Sequence, residues 1–340
     1  MGNRPPHLIY LALFLVFFGR NTAGAQDSRS ELAKLFETAS DRENLRGQNE
    51  ATFRLAGDIR IWADKKHPAE GKYLLIWTPN TKWKEQIVFK DYSRIRIGEE
   101  KQFWQVRSVD DEVPSVFILD SLLNFRDRLT LQPLDQLIRT PSEKVNGFQV
   151  QCIKSVPGVG FPHTFCFDAS NDSLVTYRLS GERQNSVLNL DAMEFAQFQA
   201  WHGKIFPRTL RGFHGKDLFV EVDFEEIQIA PNLRPDYFSV PKDATVWAYC
   251  PSSQRSMVRR VNPFYPESAR QRHEQGVVTV SAVIESDGSV SHVRVVQSAG
   301  AELDQAARSA VAQWTYTPSS CSNAAGREET LIDVIFSLRL

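Results

Sequence analysis

The sequence predicts a mainly β chain in two parts: a curled antiparallel sheet, open-barrel-like and backed by helices, then a small C-terminal α+β unit. Three observations point there. From Thr52 to Ile229 apolar and polar residues alternate with period two in short runs split by turn residues, the pattern of half-buried strands. Every lysine lies at or before Lys242 and all later cations are Arg or His, a compositional break that divides the chain. Beyond the break, one alternating run, an Asp-Gly turn and one helical apolar stripe are enough for a compact unit.

The 340 residues suit two domains, each able to bury its own core. Hydrophobic content of 42% and charged content of 24% belong to a globular protein, neither disordered nor membrane-embedded throughout. A net charge of -1 supplies no general field for a polyanion, so no nucleic-acid partner is expected.

At the N-terminus Arg4 precedes the apolar run Leu8 to Phe18, and Ala23-Gly24-Ala25 follows. This is the layout of a secretory signal over residues 1–25, with cleavage expected before Gln26. The run is about half the ~20 residues that a membrane-crossing helix needs, and an uncleaved inner-membrane anchor is the alternative. Export takes the mature chain out of the reducing cytoplasm, so disulfides are the default for its 4 cysteines.

Residues 26–245 form the first expected domain. Ser28-x-x-Glu31 ahead of Leu32, Leu35, Phe36 and Ala39 reads as a capping box opening an amphipathic helix. Strands are expected at Phe53–Trp62, Lys72–Thr78, Lys84–Tyr92, Arg94–Gly98 and Gln102–Val106. A helical patch from Val116 to Phe125 follows, and then a second one from Leu134 to Ile138. Strand pattern resumes at Gln149–Val156, Pro162–Asp168, Leu174–Leu179, Ser186–Phe198, Gly203–Arg211 and Asp217–Ile229. Such a sheet must curl, and helices cover its concave face. Cys152 and Cys166 are equidistant from Val159, so a hairpin about that loop sets them opposite each other for a bridge. Cys250 and Cys321 remain as the second pair.

Residues 246–257 are the expected linker, and 258–340 the second domain. Gly276–Ile284 alternates as a strand, Asp287-Gly288 is a hairpin turn, and Val290–Val296 returns. Leu303, Ala306, Ala307, Ala310, Val311 and Trp314 make a helical stripe. A last strand sets Ile332, Val334, Phe336, Leu338 and Leu340 on one face, with Leu331, Asp333, Ile335, Ser337 and Arg339 on the other.

These residues also carry a resemblance. Tyr-Pro-x-x-Ala at 265–269, Gly-x-Val at 276–278, Asp-Gly at 287–288 and Leu-Asp-x-Ala-Ala at 303–307 occur in order. With Trp-x-Tyr-x-Pro at 314–318 and Phe-x-Leu at 336–338, the segment resembles the TonB C-terminal domain family. The resemblance implies a periplasmic module that grips outer-membrane transporters by taking a short extended peptide onto its sheet edge. Carried onto this sequence, the peptide-binding residues are Asn262, Phe264 and Tyr265 before the helix and Leu331, Asp333 and Ile335 on the last strand. The alternative role for Tyr265 is simple packing, and a second copy of the chain, as a homodimer, competes for the same edge. More distantly, residues 26–245 are similar to the LolA/LolB-like lipoprotein carriers. The order of elements, Trp201-x-Gly203 leading to Phe206-Pro207, and the Phe238-Ser239-Val240-Pro241 ending carry that likeness. It implies an apolar cavity for a lipid or acyl chain.

Nothing in the sequence points to catalysis, and the chain is read as a binding protein without enzymatic activity. Glu221, Asp223 and Glu225 share a strand face and read as a solvated row. His202 and His214 sit on neighbouring strands where they could meet, but no third group is spaced to orient a base. Gly158-x-Gly160 lacks the strand–turn–helix context of a phosphate loop. His163 beside Cys166 has too few neighbours for a metal site. No cofactor is expected.

Overall fold

The computed structural model describes residues 21–338 except 46–50, 64–65, 80–81, 100–101, 111–112, 126–134, 158–161, 181–187, 189, 231–232, 235, 249–254 and 320–326. Most of the signal-sequence expectation, and both Cys250 and Cys321, lie outside the described residues.

The first described element is helix α1 (Asn21–Glu43), and the chain then meanders through β1 (Phe53–Ile61), β2 (Ala69–Trp77), β3 (Trp83–Phe89), β4 (Ser93–Glu99) and β5 (Gln102–Arg107). Helix α2 (Pro114–Leu123) precedes β6 (Gln136–Arg139), β7 (Glu143–Val145), β8 (Phe148–Val156), β9 (His163–Asp168) and β10 (Leu174–Leu179). After them come β11 (Ala192–Trp201), β12 (Lys204–His214), β13 (Asp217–Phe224), β14 (Gln228–Ile229) and β15 (Thr245–Ala248). All belong to one antiparallel sheet of 15 strands that runs β15-β5-β4-β3-β2-β1-β13-β12-β11-β10-β9-β8-β6 and does not close.

One core lies on the concave side. Leu32, Phe36 and Ala39 of α1 and Val116, Leu119 and Leu122 of α2 join Ile59, Ile87, Ile153, Phe195 and Val222 from strands across the sheet. Strands so far apart can share one core only if the sheet wraps round the helices. The Phe36 ring stands edge-on to Phe165 at 4.9 Å and to Phe167 at 5.1 Å, favourable geometry for aromatic quadrupoles. Behind this core, Cys152 and Cys166 face each other in register and are joined by a disulfide, as their spacing predicts.

Several expectations change. Ser28 lies inside α1, because the helix already runs from Asn21 and needs no cap there. Residues 136–138 of the second expected helical patch lie in β6, since backbone pairing with β8 outweighs a helical reading of so short a run. Residues 246–248, at the start of the expected linker, continue with Thr245 as a strand that pairs with β5 at the sheet's end. Glu221 is 8% exposed, not solvated. Arg60 and Arg211 (2.5 Å) bind its carboxylate, and Arg60 also reaches Asp223, making a cross-strand ladder. Burial works against the Glu221 charge, but the bonds from Arg211 and Arg60 prevail and hold its pKa below the usual range. His202 follows β11 at one end of β12 and His214 closes β12 at the other, so they do not meet.

The remaining chain has its own core. It contains β16 (Met257–Arg259), α3 (Glu267–Gln271), β17 (Gly276–Ile284), β18 (Val290–Gln297), α4 (Ala301–Val311), β19 (Thr315–Tyr316) and β20 (Glu328–Phe336). Leu303, Ala307 and Val311 of α4, with Trp314, lie on Val278, Val280 and Ala282 of β17. The Asp287-Gly288 turn is stereochemically required. Gly288 has φ +89°, and a Cβ there would sit 1.9 Å from the Tyr316 carbonyl oxygen. Asp287 accepts from the Ser289 amide at 2.8 Å and its hydroxyl at 2.7 Å, bracing the turn.

Candidate functional site

The small sheet has the order β18-β17-β20, so β20 is an edge strand. It pairs with β17 without interruption, from Gly276↔Phe336 to Ile284↔Glu328. Among the described residues nothing pairs with its other side. The opposite edge differs: β18 meets β17 with two register shifts, between Thr279 and Val280 and between Ser281 and Val283. Irregularities of that kind blunt an edge. A continuous row of outward N–H and C=O groups therefore lies along β20.

Alternation along β20 divides its side chains. Val334 and Phe336 are buried against the α4 core, with Ile332 partly so. Leu331, Asp333 and Ile335 share the other face, as the sequence predicts, but in unequal surroundings. Leu331 is only 7% exposed and Ile335 is 45% exposed. Asp333 accepts from the hydroxyl of its register partner Thr279 at 2.7 Å. A peptide on this edge would therefore find an apolar contact at Ile335 and a fixed carboxylate beside it.

The segment before α3 reaches the same end of β20. Trp314 Nε1 donates to the Val261 carbonyl at 2.8 Å. The Tyr265 ring stands edge-on to Phe336 at 5.5 Å, and its hydroxyl donates to the Glu274 carbonyl. Tyr265 thus packs as a structural residue, whereas Asn262 is exposed and Phe264 is 78% exposed. Thr279, Trp314 and Phe336 support the site yet were not singled out for it. Strand register alone would have marked Thr279, as the partner of Asp333.

The other end of β20 meets the large sheet. Glu329 accepts from Arg107 of β5 at 2.7 Å, with both side chains largely buried. Arg327 lies 5.8 Å over the Trp247 ring of β15.

A second candidate lies inside the large sheet. A cavity of about 50 Å³ is bordered by Phe53, Leu55, Tyr73, Leu75, Leu123 and Phe224, among others. It is far smaller than the roughly 300 Å³ at which ligand pockets begin. Beside it stands a buried ion cluster that the sequence did not disclose. The two Nη atoms of Arg94 donate to the two Oδ atoms of Asp120 at 2.7 and 2.5 Å, and Arg96 Nη1 donates to Asp120 at 2.9 Å. Arg94 also reaches Glu85 at 3.2 Å, and the Tyr73 hydroxyl donates to Glu85 at 3.3 Å. Burial works to raise the Asp120 pKa, but the charges and hydrogen bonds of Arg94 and Arg96 hold it below the usual carboxylate range.

Comparison with known proteins agrees with the small sheet. Residues 261–338 match the family model for the Gram-negative bacterial TonB protein C-terminal. A search of curated proteins finds no match. Similar solved structures include a LolA superfamily protein from Nitrosomonas europaea, 10% identical, covering 61% of this chain and 96% of that one at a TM-score of 0.37. The TonB C-terminal domain of Pseudomonas aeruginosa is 25% identical and covers 26% of this chain and 90% of that one at 0.22. The MucA/MucB complex of Pseudomonas aeruginosa is 8% identical and covers 90% and 94% at 0.30. Among the described residues no helix is long and apolar enough to cross a membrane.

Proposed function

We propose that this is a non-enzymatic periplasmic protein whose C-terminal unit captures an extended segment of a cell-envelope partner by β-strand addition. The single observation that carries the reading is the place of β20 at the edge of the small sheet: it pairs with β17 without interruption from Glu328 to Phe336, and no described strand pairs with its other side. Main-chain groups on such an edge supply affinity without regard to sequence, and neighbouring side chains select among strands. Here Asp333, Ile335 and the exposed Phe264 are the selecting groups. The match to the TonB C-terminal family supports an outer-membrane transporter peptide as the partner.

In-cell photocrosslinking tests this. A photoreactive residue at 333 or 335 should capture a short plug segment of an outer-membrane transporter, and one at exposed Val88 on the large sheet should not. Recovery of equal products from all three positions would refute the edge as the docking site.

A further inference from the structure

We propose that the Glu143 carboxylate is a charge barrier over the Cys152–Cys166 disulfide, slowing thiol–disulfide exchange at that bond in both directions. This proposal is independent of peptide docking on β20.

The carboxylate is placed on the bond from a separate strand. Glu143 opens β7 as the register partner of Val150 on β8, and its Oε1 lies 3.4 Å from Cys152 Sγ and 3.8 Å from Cys166 Sγ. A bridged sulfur carries no proton, so that oxygen gains no hydrogen bond from either one. Arg178 of β10 holds it there, with Nη2 at 3.3 Å from the same oxygen. The ion pair therefore spans from β7 to β10, across both strands of the cysteine hairpin. Both cysteines are 0% exposed, in an apolar cluster with Val150 and Val175, whereas Glu143 and Arg178 are half-exposed. Asp168, two residues along β9 from Cys166, is committed to the amide and hydroxyl of Ser170 at 2.9 and 2.8 Å. Among the described residues no cation hydrogen-bonds either sulfur.

Exchange needs thiolate charge beside this carboxylate. In reduction an external thiolate attacks one sulfur to form a mixed disulfide, and the other cysteine leaves as a thiolate that takes a proton from water. The second thiolate of a dithiol reductant then displaces the first cysteine. The reductant ends as its own disulfide and the protein gains two thiols. In the reverse direction a Cys thiolate must form before it can attack a small disulfide. A neighbouring like charge disfavours that thiolate, and a cysteine kept protonated is both a slow nucleophile and a slow leaving group. The barrier acts on both directions, so it lowers the rate of exchange more than it shifts the equilibrium. A cover that worked by bulk alone would be indifferent to the charge at position 143.

The experiment uses the purified full-length oxidised chain with dithiothreitol at fixed pH, alkylation of Cys152 and Cys166 being read by peptide mass spectrometry. Glu143→Gln keeps the shape without the charge and should speed reduction about fivefold, equivalent to about 1 kcal/mol of like-charge repulsion. The reduced chain, offered hydroxyethyl disulfide, should re-form the bond faster in this variant by a similar factor. Arg178→Gln, which strips the cation from the carboxylate, should slow both reactions, and it decides the matter if Glu143→Gln does not fold. In concentrated urea all three chains should react alike. Rates unchanged by Glu143→Gln, a gain in reduction alone, a faster Arg178→Gln chain, or differences that persist in urea would each overturn the proposal.

Discussion

Replacing Ile335 by Ala should weaken capture of an extended peptide while leaving the fold intact. Ile335 is 45% exposed, so a strand laid along β20 can cover no more than that part. Full burial of an aliphatic side chain of this size contributes roughly 1.5–3 kcal/mol, so the exposed part represents about 1 kcal/mol. Kd should then rise about fivefold. Leu331, on the same face but only 7% exposed, is the internal control. Leu331→Ala should cost roughly 2–3 kcal/mol of stability, with little change in the affinity of the folded protein. The assay is fluorescence anisotropy with a labelled peptide from a transporter plug, run beside thermal melts of each variant. Equal Kd values for Ile335→Ala and the unsubstituted protein would refute the reasoning. A larger loss of affinity for Leu331→Ala would refute it too.

Other outcomes follow from the large sheet. Reducing Cys152–Cys166, or replacing both by Ser, opens a loop with a sequence separation of 14, which should remove about 3 kcal/mol and lower Tm by several degrees. Phe36→Ala takes away a ring packed on both Phe165 and Phe167 and should destabilise by roughly 3–5 kcal/mol in denaturant unfolding. Asp120 and Glu221 have pKa values depressed in the folded state. Their contribution to stability is complete above the ordinary carboxylate pKa of about 4 and is lost as pH falls through the depressed values. Tm should therefore hold steady from neutral pH to about 5 and fall below about 4, and a flat profile into strong acid would contradict both assignments.

Period-two alternation was enough to place most strands, because each has one face against a core. The cysteine hairpin was legible from symmetry about Val159, and α4 from its stripe, since local spacing set both. What escaped was decided by partners distant in the chain. In β4, Arg94-Ile95-Arg96-Ile97 suggests arginines toward water. Arg94 is nevertheless 1% exposed beneath α2, because Asp120, 26 residues on, neutralises it there. Glu221 sits in its acidic row for the same reason, bound to Arg60 from another strand. Of the residues read from the sequence as a peptide site, the shared face of Leu331, Asp333 and Ile335 on β20 was legible from alternation. The inward packing of Tyr265 depends on Phe336, far along the chain, and no local pattern announces it.

The unequal edges of the small sheet also bear on how the protein behaves when concentrated. Contact between copies through β20 would be the same patch meeting itself about a two-fold axis. Such a contact uses up the uninterrupted edge of the small sheet on each copy. The opposite side, broken by the two shifts along β18, offers no template for a third copy. Self-association by this route would stop at a discrete pair, so the small sheet is shielded from the open-ended stacking that leads to fibres.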